Sequence, residues 1–365
     1  MKKVMFLVNR DFVLYNFRVE LVERLLKDGY EVYICLPYGE KVDIMVEMGC
    51  KFIPVEIDKR GTNPIRDVKL IKAYRKIFRE VQPDMLLLYT TKVCIYAGIV
   101  AGQMKIPYLM NVSGLGTAVE QKSLLQPLMI SMYRQAARHA KCVFFQNEQN
   151  LKFFQKHKMY DGKYQLIPGS GVNLEKWTYS EYPTDENGLE FLFIARVIKE
   201  KGIEEYLTTA KAIKAEYPNI IFRILGPCDG EYEEILAEYE HSGIIVYEGM
   251  VQNTKPYIDK AHCTIHPSFY PEGISNVCLE SAACGRPVIT TNRPGCRETV
   301  EDGVTGFLFE EKNTEQLITV VREFMNMPNG ERAKLGLNGH EKMVRKFDRN
   351  IVVEAYVREI NKVVV

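Results

Sequence analysis

Short continuous apolar runs, each followed by a stretch whose apolar positions recur three and four residues apart, alternate along the chain. The first pattern suits a strand buried on both faces and the second a helix with one apolar side. In the first half, Val4–Val8, Glu31–Leu36, Phe52–Ile57, Met85–Tyr89, Tyr108–Val112, Val143–Gln146 and Gln165–Ile167 read as strands, and Asn16–Gly29, Ile65–Val81, Tyr96–Gln103 and Leu124–Ala140 as helices. Glycines, prolines and polar residues at Pro168–Trp177 and Pro183–Gly188 then break the series as an interdomain linker would. The series resumes with strands Leu189–Ala195, Ile220–Leu225, Ile244–Tyr247, Thr264–His266, Val288–Thr290 and Phe307–Phe309, the last after a hairpin-like turn at Glu301–Gly306. Its helices are Gly202–Glu216, Glu231–His241, Ile274–Cys284 and the amphipathic Phe347–Val365. Such alternation implies parallel sheets with helices on both faces. The expected fold class is α/β, with doubly wound domains at residues 1–170 and 189–350 and a connecting stretch at 171–188 that also opens the second domain.

Ligands of doubly wound sheets sit beyond the carboxyl ends of the strands. In the first domain this selects the loops Asn9–Arg18, Thr90–Val93, Val112–Thr117 and Asn147–Asn150, a rim that includes Asn16, Arg18 and Lys92. No G-x-G-x-x-G follows the first strand and the chain has no Walker-type lysine loop, so dehydrogenase and P-loop readings are weak. Ser113-Gly114-Leu115-Gly116 is a tight turn whose glycines let backbone approach a ligand; an ordinary strand-to-helix turn would use the same residues.

The second domain holds the denser chemistry, in the stretch from His266 to Pro287. Pro267, Pro271 and Gly273 break regular structure before the short helix, and Gly285 and Pro287 end it. The amides of Gly273, Ile274, Ser275 and Asn276 at the helix start then form an anion site. Gly273 and Glu280, seven apart, fall on one helical face within ~20° of each other. A carboxylate placed there suits a ribose attached to a bound phosphate, and Glu272 reaches either the helix dipole or a sugar hydroxyl. Helix capping and a buried, paired Glu280 would account for the same residues. Arg196 ends the first strand of this domain and Lys201 follows just before Gly202, where two cations can clamp a diphosphate; solvated surface charge is the plainer reading. Gly226 ends the next strand, and Gly249-Met250-Val251 stands on the same rim.

Charge adds an asymmetry: residues 1–170 carry 26 Lys+Arg against 16 Asp+Glu, although the whole chain is formally +1. The first domain should face something anionic, and no nucleic-acid recognition motif is present. The nine cysteines are single, with no C-x-x-C pair, as suits small buried side chains in a reducing compartment. Neither a signal peptide nor an apolar run long enough to span a bilayer is visible, so the expected location is cytoplasmic. From Gln121, Lys122 is followed by Leu124, Leu125, Leu128, Met129, Met132 and Tyr133 and then by Arg134, Arg138 and Lys141; the spacing fits a core-facing helix or one lying on a membrane surface.

Glu272 and Glu280 with the Gly273 turn resemble the paired-glutamate motif of the retaining glycosyltransferases of family 4, and Arg196 and Lys201-Gly202 match that family's diphosphate-binding pair. Gly114-Leu115-Gly116, Lys92, Ile106-Pro107 and Phe145–Asn150 resemble its bacterial capsule and exopolysaccharide branch, which includes N-acetylgalactosaminyltransferases acting on undecaprenyl diphosphate-linked sugars. The resemblance implies a GT-B fold of two domains facing across a cleft, with Ile351–Val365 crossing back to the first. It makes Arg196, Lys201 and Glu272 catalytic, and assigns Glu280, Gly273, Ile274, Ser275, Asn276, Val251 and Gly226 to the donor. The acceptor side takes Ser113, Gly114, Gly116, Lys92, Asn16 and Arg18. Many members carry a histidine where Ser113 stands, so no histidine role carries over. The expected partners are a nucleotide-sugar donor, most simply a UDP-sugar, a lipid-linked saccharide acceptor and the anionic inner face of the membrane. No cofactor is expected, and with no D-x-D near the site, no metal. A GT-B nucleotide-sugar epimerase or a non-catalytic nucleotide-sugar-binding subunit are the alternatives.

Overall fold

The computed structural model describes residues 1–364 apart from 59–63, 115–125, 229 and 272, and without the side chains of 64 and 65. Among them, the apolar runs build two parallel sheets. The first holds β1 (Lys3–Leu7), β2 (Glu31–Leu36), β3 (Lys51–Pro54), β4 (Met85–Tyr89), β5 (Tyr108–Val112), β6 (Cys142–Phe145) and β7 (Tyr164–Leu166), in the order β3-β2-β1-β4-β5-β6-β7. These strands are apolar without alternation because both faces are covered: Met5, Leu7, Leu86 and Leu88 enter one core, and Phe6, Leu87, Leu109 and Phe144 the other. The helices are α1 (Asp11–Lys27), α2 (Lys41–Glu47), α3 (Pro64–Val81), α4 (Thr91–Met104), α5 (Gln126–Ala137) and α6 (Glu148–Lys156).

The second sheet holds β8 (Glu190–Ile194), β9 (Ile221–Leu225), β10 (Val246–Tyr247), β11 (Cys263–His266), β12 (Val288–Thr291) and β13 (Gly306–Phe309), in the order β10-β9-β8-β11-β12-β13. Around it lie α7 (Ile203–Glu216), α8 (Glu233–His241), α9 (Lys255–Lys260), α10 (Asn276–Ala283), α11 (Thr314–Asn326) and α12 (Asn329–Lys342), then a π-helical turn Met343–Phe347 and α13 (Arg349–Val364). The chain divides into one unit of Met1–Ser170 with Asn350–Val365 and another of Gly171–Arg349. Helix α13 joins the first unit because Val352, Tyr356, Val357 and Ile360 are buried there, each worth roughly 1.5–3 kcal/mol. The Tyr356 ring stacks 4.2 Å from that of Phe144. No helix among the described residues is long and apolar enough to cross a membrane.

Several local expectations change. The stretch 171–188 is built into the second unit, with Trp177 in its core and buried Arg286 donating to the carbonyls of Ser180, Glu181, Ile258 and Asp259. The turn at Glu301–Gly306 makes no hairpin: β13 pairs parallel to β12. The loop expected at Asn9–Arg18 is helical from Asp11, and α4 begins at Thr91. The Asn147 side chain accepts from the Asn150 amide and caps α6. Helix α10 starts at Asn276, capped by the Ser275 hydroxyl, so Gly273 lies outside it and shares no helical face with Glu280.

Candidate functional site

In the second sheet the strand order reverses between β8 and β11, and ligands of such sheets bind at the carboxyl ends of the strands flanking that point. Arg196 follows β8, and the loop from Pro267 to Ser275 follows β11. Two glycines shape the place. A Cβ on Gly226 would lie 1.7 Å from the Ala195 carbonyl oxygen, so only glycine lets the end of β9 close beneath Arg196; its N–H donates to the Gly249 carbonyl at 2.7 Å. Gly202 is left-handed at φ 79°, and a Cβ there would come within 2.2 Å of the Pro267 carbonyl oxygen. That contact seats the Lys199–Lys201 turn against the loop after β11, and the Phe269 N–H donates to the Glu200 carbonyl at 2.9 Å.

Arg196 and Lys201 therefore meet. The Arg196 guanidinium carbon lies 5.8 Å and the Lys201 ammonium 5.0 Å from the centre of one ring, that of Tyr270. Burial pushes the Lys201 ammonium down to about 8, and the Arg196 charge acts in the same direction. Behind them His266 is buried, its Nε2 3.2 Å from the Ser275 hydroxyl and its Nδ1 without a partner. Burial and the Lys201 charge push it down to about 3, so it is neutral across the physiological range. Tyr270 was not singled out from the sequence; an aromatic between two prolines and within reach of both cations carries no spacing rule of its own.

Ile274 and Ser275 are buried, and the Ser275 N–H donates to the Gly295 carbonyl at 2.7 Å, which holds the start of α10 to the loop after β12. Gly273 is buried and Asn276 half-buried at that helix start. Glu280 stands on α10, partly exposed; desolvation pushes its carboxyl up to about 7, against the pull of Lys176 and Arg349. The helix is capped by Ser275, and Lys176 and Arg349 are the cations that act on the Glu280 carboxylate. Val251 is half-buried against the core that contains Ile274 and Cys278. Glu272 lies outside the described residues.

In the first sheet the order reverses between β1 and β4. Thr90, directly after β4, is held at φ 69° and ψ 145° with its buried hydroxyl unpartnered, a strained residue of the kind that gathers at functional sites. Ser113 and Gly114 are half-buried after β5, and the Gly114 carbonyl accepts from the Thr91 hydroxyl at 3.5 Å; Gly116 lies outside the described residues. Asn16 is exposed on α1. Lys92 is bound to the Asp67 carboxylate at 2.8 Å, which ties α4 to α3. Arg18 is buried at the carboxyl end of β4, 5.2 Å from the Tyr89 ring centre and 5.8 Å from that of Tyr356 on α13. It packs the terminal helix onto the first unit. In α5, Ile130 and Tyr133 turn inward, Leu128 is exposed, and Arg134 donates to the carbonyls of His157 and Lys158; Lys122, Leu124 and Leu125 lie outside the described residues.

Two doubly wound units of this order define the GT-B class. Comparison with known proteins agrees. The model for glycosyl transferases group 1 matches residues 179–342, and that for glycosyl transferase 4-like proteins matches residues 3–147. The chain belongs to this family of glycosyltransferases. It is 24% identical over 381 aligned positions, 99% of each chain, to the N,N'-diacetylbacillosaminyl-diphospho-undecaprenol alpha-1,3-N-acetylgalactosaminyltransferase of Campylobacter jejuni. Among solved structures, sucrose-phosphate synthase of Thermosynechococcus elongatus superposes with a TM-score of 0.79 at 17% identity, over 99% of each chain. Anabaena Alr3699/HepE, solved with UDP and glucose, superposes at 0.77 and 15%, over 99% of this chain and 100% of that one. These two likenesses speak for the fold.

Proposed function

We propose that this glycosyltransferase is a retaining enzyme that takes a sugar from a UDP-linked donor, UDP-GalNAc, UDP-GlcNAc or a UDP-hexose, and adds it to a lipid-diphosphate-linked saccharide at the inner face of the membrane. One observation carries the reading: Arg196 and Lys201 are held against the same Tyr270 ring at the switch point of the second sheet, with Lys201 desolvated. A diphosphate arriving there meets two cations at once, one of them poorly solvated. The full-length likeness to a Campylobacter jejuni enzyme named for a diphospho-undecaprenol acceptor supports the acceptor class. The cationic excess of residues 1–170 suits a membrane-bound, phosphate-bearing acceptor.

As the bond from the sugar's anomeric carbon to the diphosphate breaks, negative charge grows on the departing oxygen. Arg196, Lys201 and the amides around Gly273 and Asn276 stabilise it, the contribution that is usually largest in such reactions. Arg196 and Lys201 thereby take the part a divalent ion plays elsewhere, so turnover needs no metal. Glu272 orients the donor sugar and Glu280 accepts from the ribose hydroxyls. The acceptor hydroxyl attacks from the face the diphosphate leaves, and a departing phosphate oxygen takes its proton, which retains configuration. Ser113, Gly114 and Thr90 line the acceptor side.

The test is purified protein with a panel of UDP-sugars and a synthetic polyprenyl diphosphate saccharide, with the product's anomeric configuration read by NMR. Transfer with retention is expected; an inverted product contradicts the mechanism. Conversion of a UDP-sugar without acceptor would favour an epimerase, a reading weakened by a His266 too acidic to take up a proton at neutral pH. Donor binding without turnover on any acceptor would favour a non-catalytic subunit.

A further inference from the structure

Helix α3 buries Leu70, Tyr74, Ile77 and Phe78 on one side. At ~100° per residue, Val68, Lys69, Lys72, Arg75, Lys76 and Arg79 gather on the other. All six are exposed except Arg75, which is half-buried and donates to the Gln103 side chain at 2.7 Å. Lys72, Arg75, Lys76 and Arg79 surround, with Glu80, a shallow depression of about 350 Å³. Glu80 is the one acid in that lining, 3.8 Å from the Lys76 ammonium across an exposed pair that contributes little. None of these residues belongs to either sheet's carboxyl edge, so the site described above gives them no task.

We propose that this face of α3 docks the protein on an anionic phospholipid surface. A row of cations one helical turn apart, with the apolar Val68 exposed at its head, matches a plane of phosphate headgroups. The apolar side of α3 is already spent on the core, so the attachment is electrostatic. It deepens the lipid-linked acceptor reading, on which it rests for its purpose, by naming the surface that meets the membrane. In the segment Gln121–Arg138, the alternative read there from the sequence, Ile130 and Tyr133 are buried while Leu128 is exposed.

The experiment is flotation of the whole protein with phosphatidylcholine vesicles, with and without phosphatidylglycerol, at low and high salt. Wild type should float with the anionic vesicles at low salt and stay behind with phosphatidylcholine alone. The triple variant Lys72→Gln, Lys76→Gln, Arg79→Gln changes only exposed helix positions to a good helix former. Its affinity for anionic vesicles should fall on the order of a hundredfold, at about fivefold per basic residue. Lys152→Gln with Lys156→Gln on α6 should leave binding as it was. Unchanged binding by the triple variant, an effect of the α6 pair as large as that of α3, or tighter binding to single-stranded RNA than to vesicles overturns the proposal. Turnover on a water-soluble, short-chain acceptor separates the two readings. If α3-dependent flotation occurs without any transfer, the proposed function fails alone; if transfer occurs without flotation, the docking face fails alone.

Discussion

Lys201→Met should make the ligand-free protein more stable while disabling it. An unfolded lysine ionises near 10.5, and in the fold Lys201 is pushed down to about 8, chiefly by desolvation. Folding therefore expels a proton between those values, and below about 8 the folded chain carries a charge it would rather hold in water. That fall corresponds to about 3 kcal/mol. Methionine keeps the length and removes the charge; it also gives up the contact with the Tyr270 ring, worth about 0.5–1 kcal/mol. The gain is at most about 2 kcal/mol, or a melting temperature up to about 4–8 °C higher for a unit of this size. Scanning calorimetry with and without UDP checks it. Wild type should melt earlier alone and rise on adding UDP, whereas the variant should melt later alone and respond weakly. The gap between them should close as the pH climbs from about 8 toward 10.5, because the wild-type lysine is then neutral in the fold and becoming so in the unfolded chain. A variant that melts below wild type without ligand, or gains as much from UDP, refutes the reasoning.

Other outcomes follow from the same geometry. Glu280→Ala should weaken UDP binding about tenfold or more, as expected for hydrogen bonds to a charged group, and an affinity equal to wild type's would remove it from the ribose. Because its carboxyl is pushed up to about 7, donor binding should weaken as the pH falls through neutrality, and Glu280→Gln should flatten that profile. Gly226→Ala should destabilise the second unit by more than about 2 kcal/mol, since its Cβ would meet the Ala195 carbonyl at 1.7 Å; an unchanged urea midpoint contradicts this. Turnover should survive exhaustive chelation by EDTA, and a loss restored by a divalent ion would assign to metal the work given to Arg196 and Lys201.

The architecture was legible because parallel sheets covered on both faces leave continuous apolar runs. The spacing of Arg196 and Lys201 likewise survived folding, since a strand end and the turn behind it keep short-range geometry. What the pattern missed has physical causes. Glycines 330, 336 and 339 lower the helix propensity of α12 and hid it. The start of α10 slipped because the Ser275 hydroxyl, rather than Gly273, supplies the cap. Strand β13 looked like half of a hairpin because a tight turn precedes it, yet its partner is β12, brought alongside by the sheet rather than by sequence. The packing of Arg18 against Tyr89 and Tyr356, residues 71 and 338 positions away, was not legible, since no local rule relates them.

The claim on which the rest turns is that the second unit grips the nucleotide by its phosphates at Arg196 and Lys201. Calorimetric titration of wild type and of the Arg196→Ala, Lys201→Ala double variant with UDP and with uridine measures this directly. Wild type should bind UDP far more tightly than uridine, and the double variant should bind the two alike. A double variant that keeps the wild-type preference for UDP would show the phosphates to be held elsewhere.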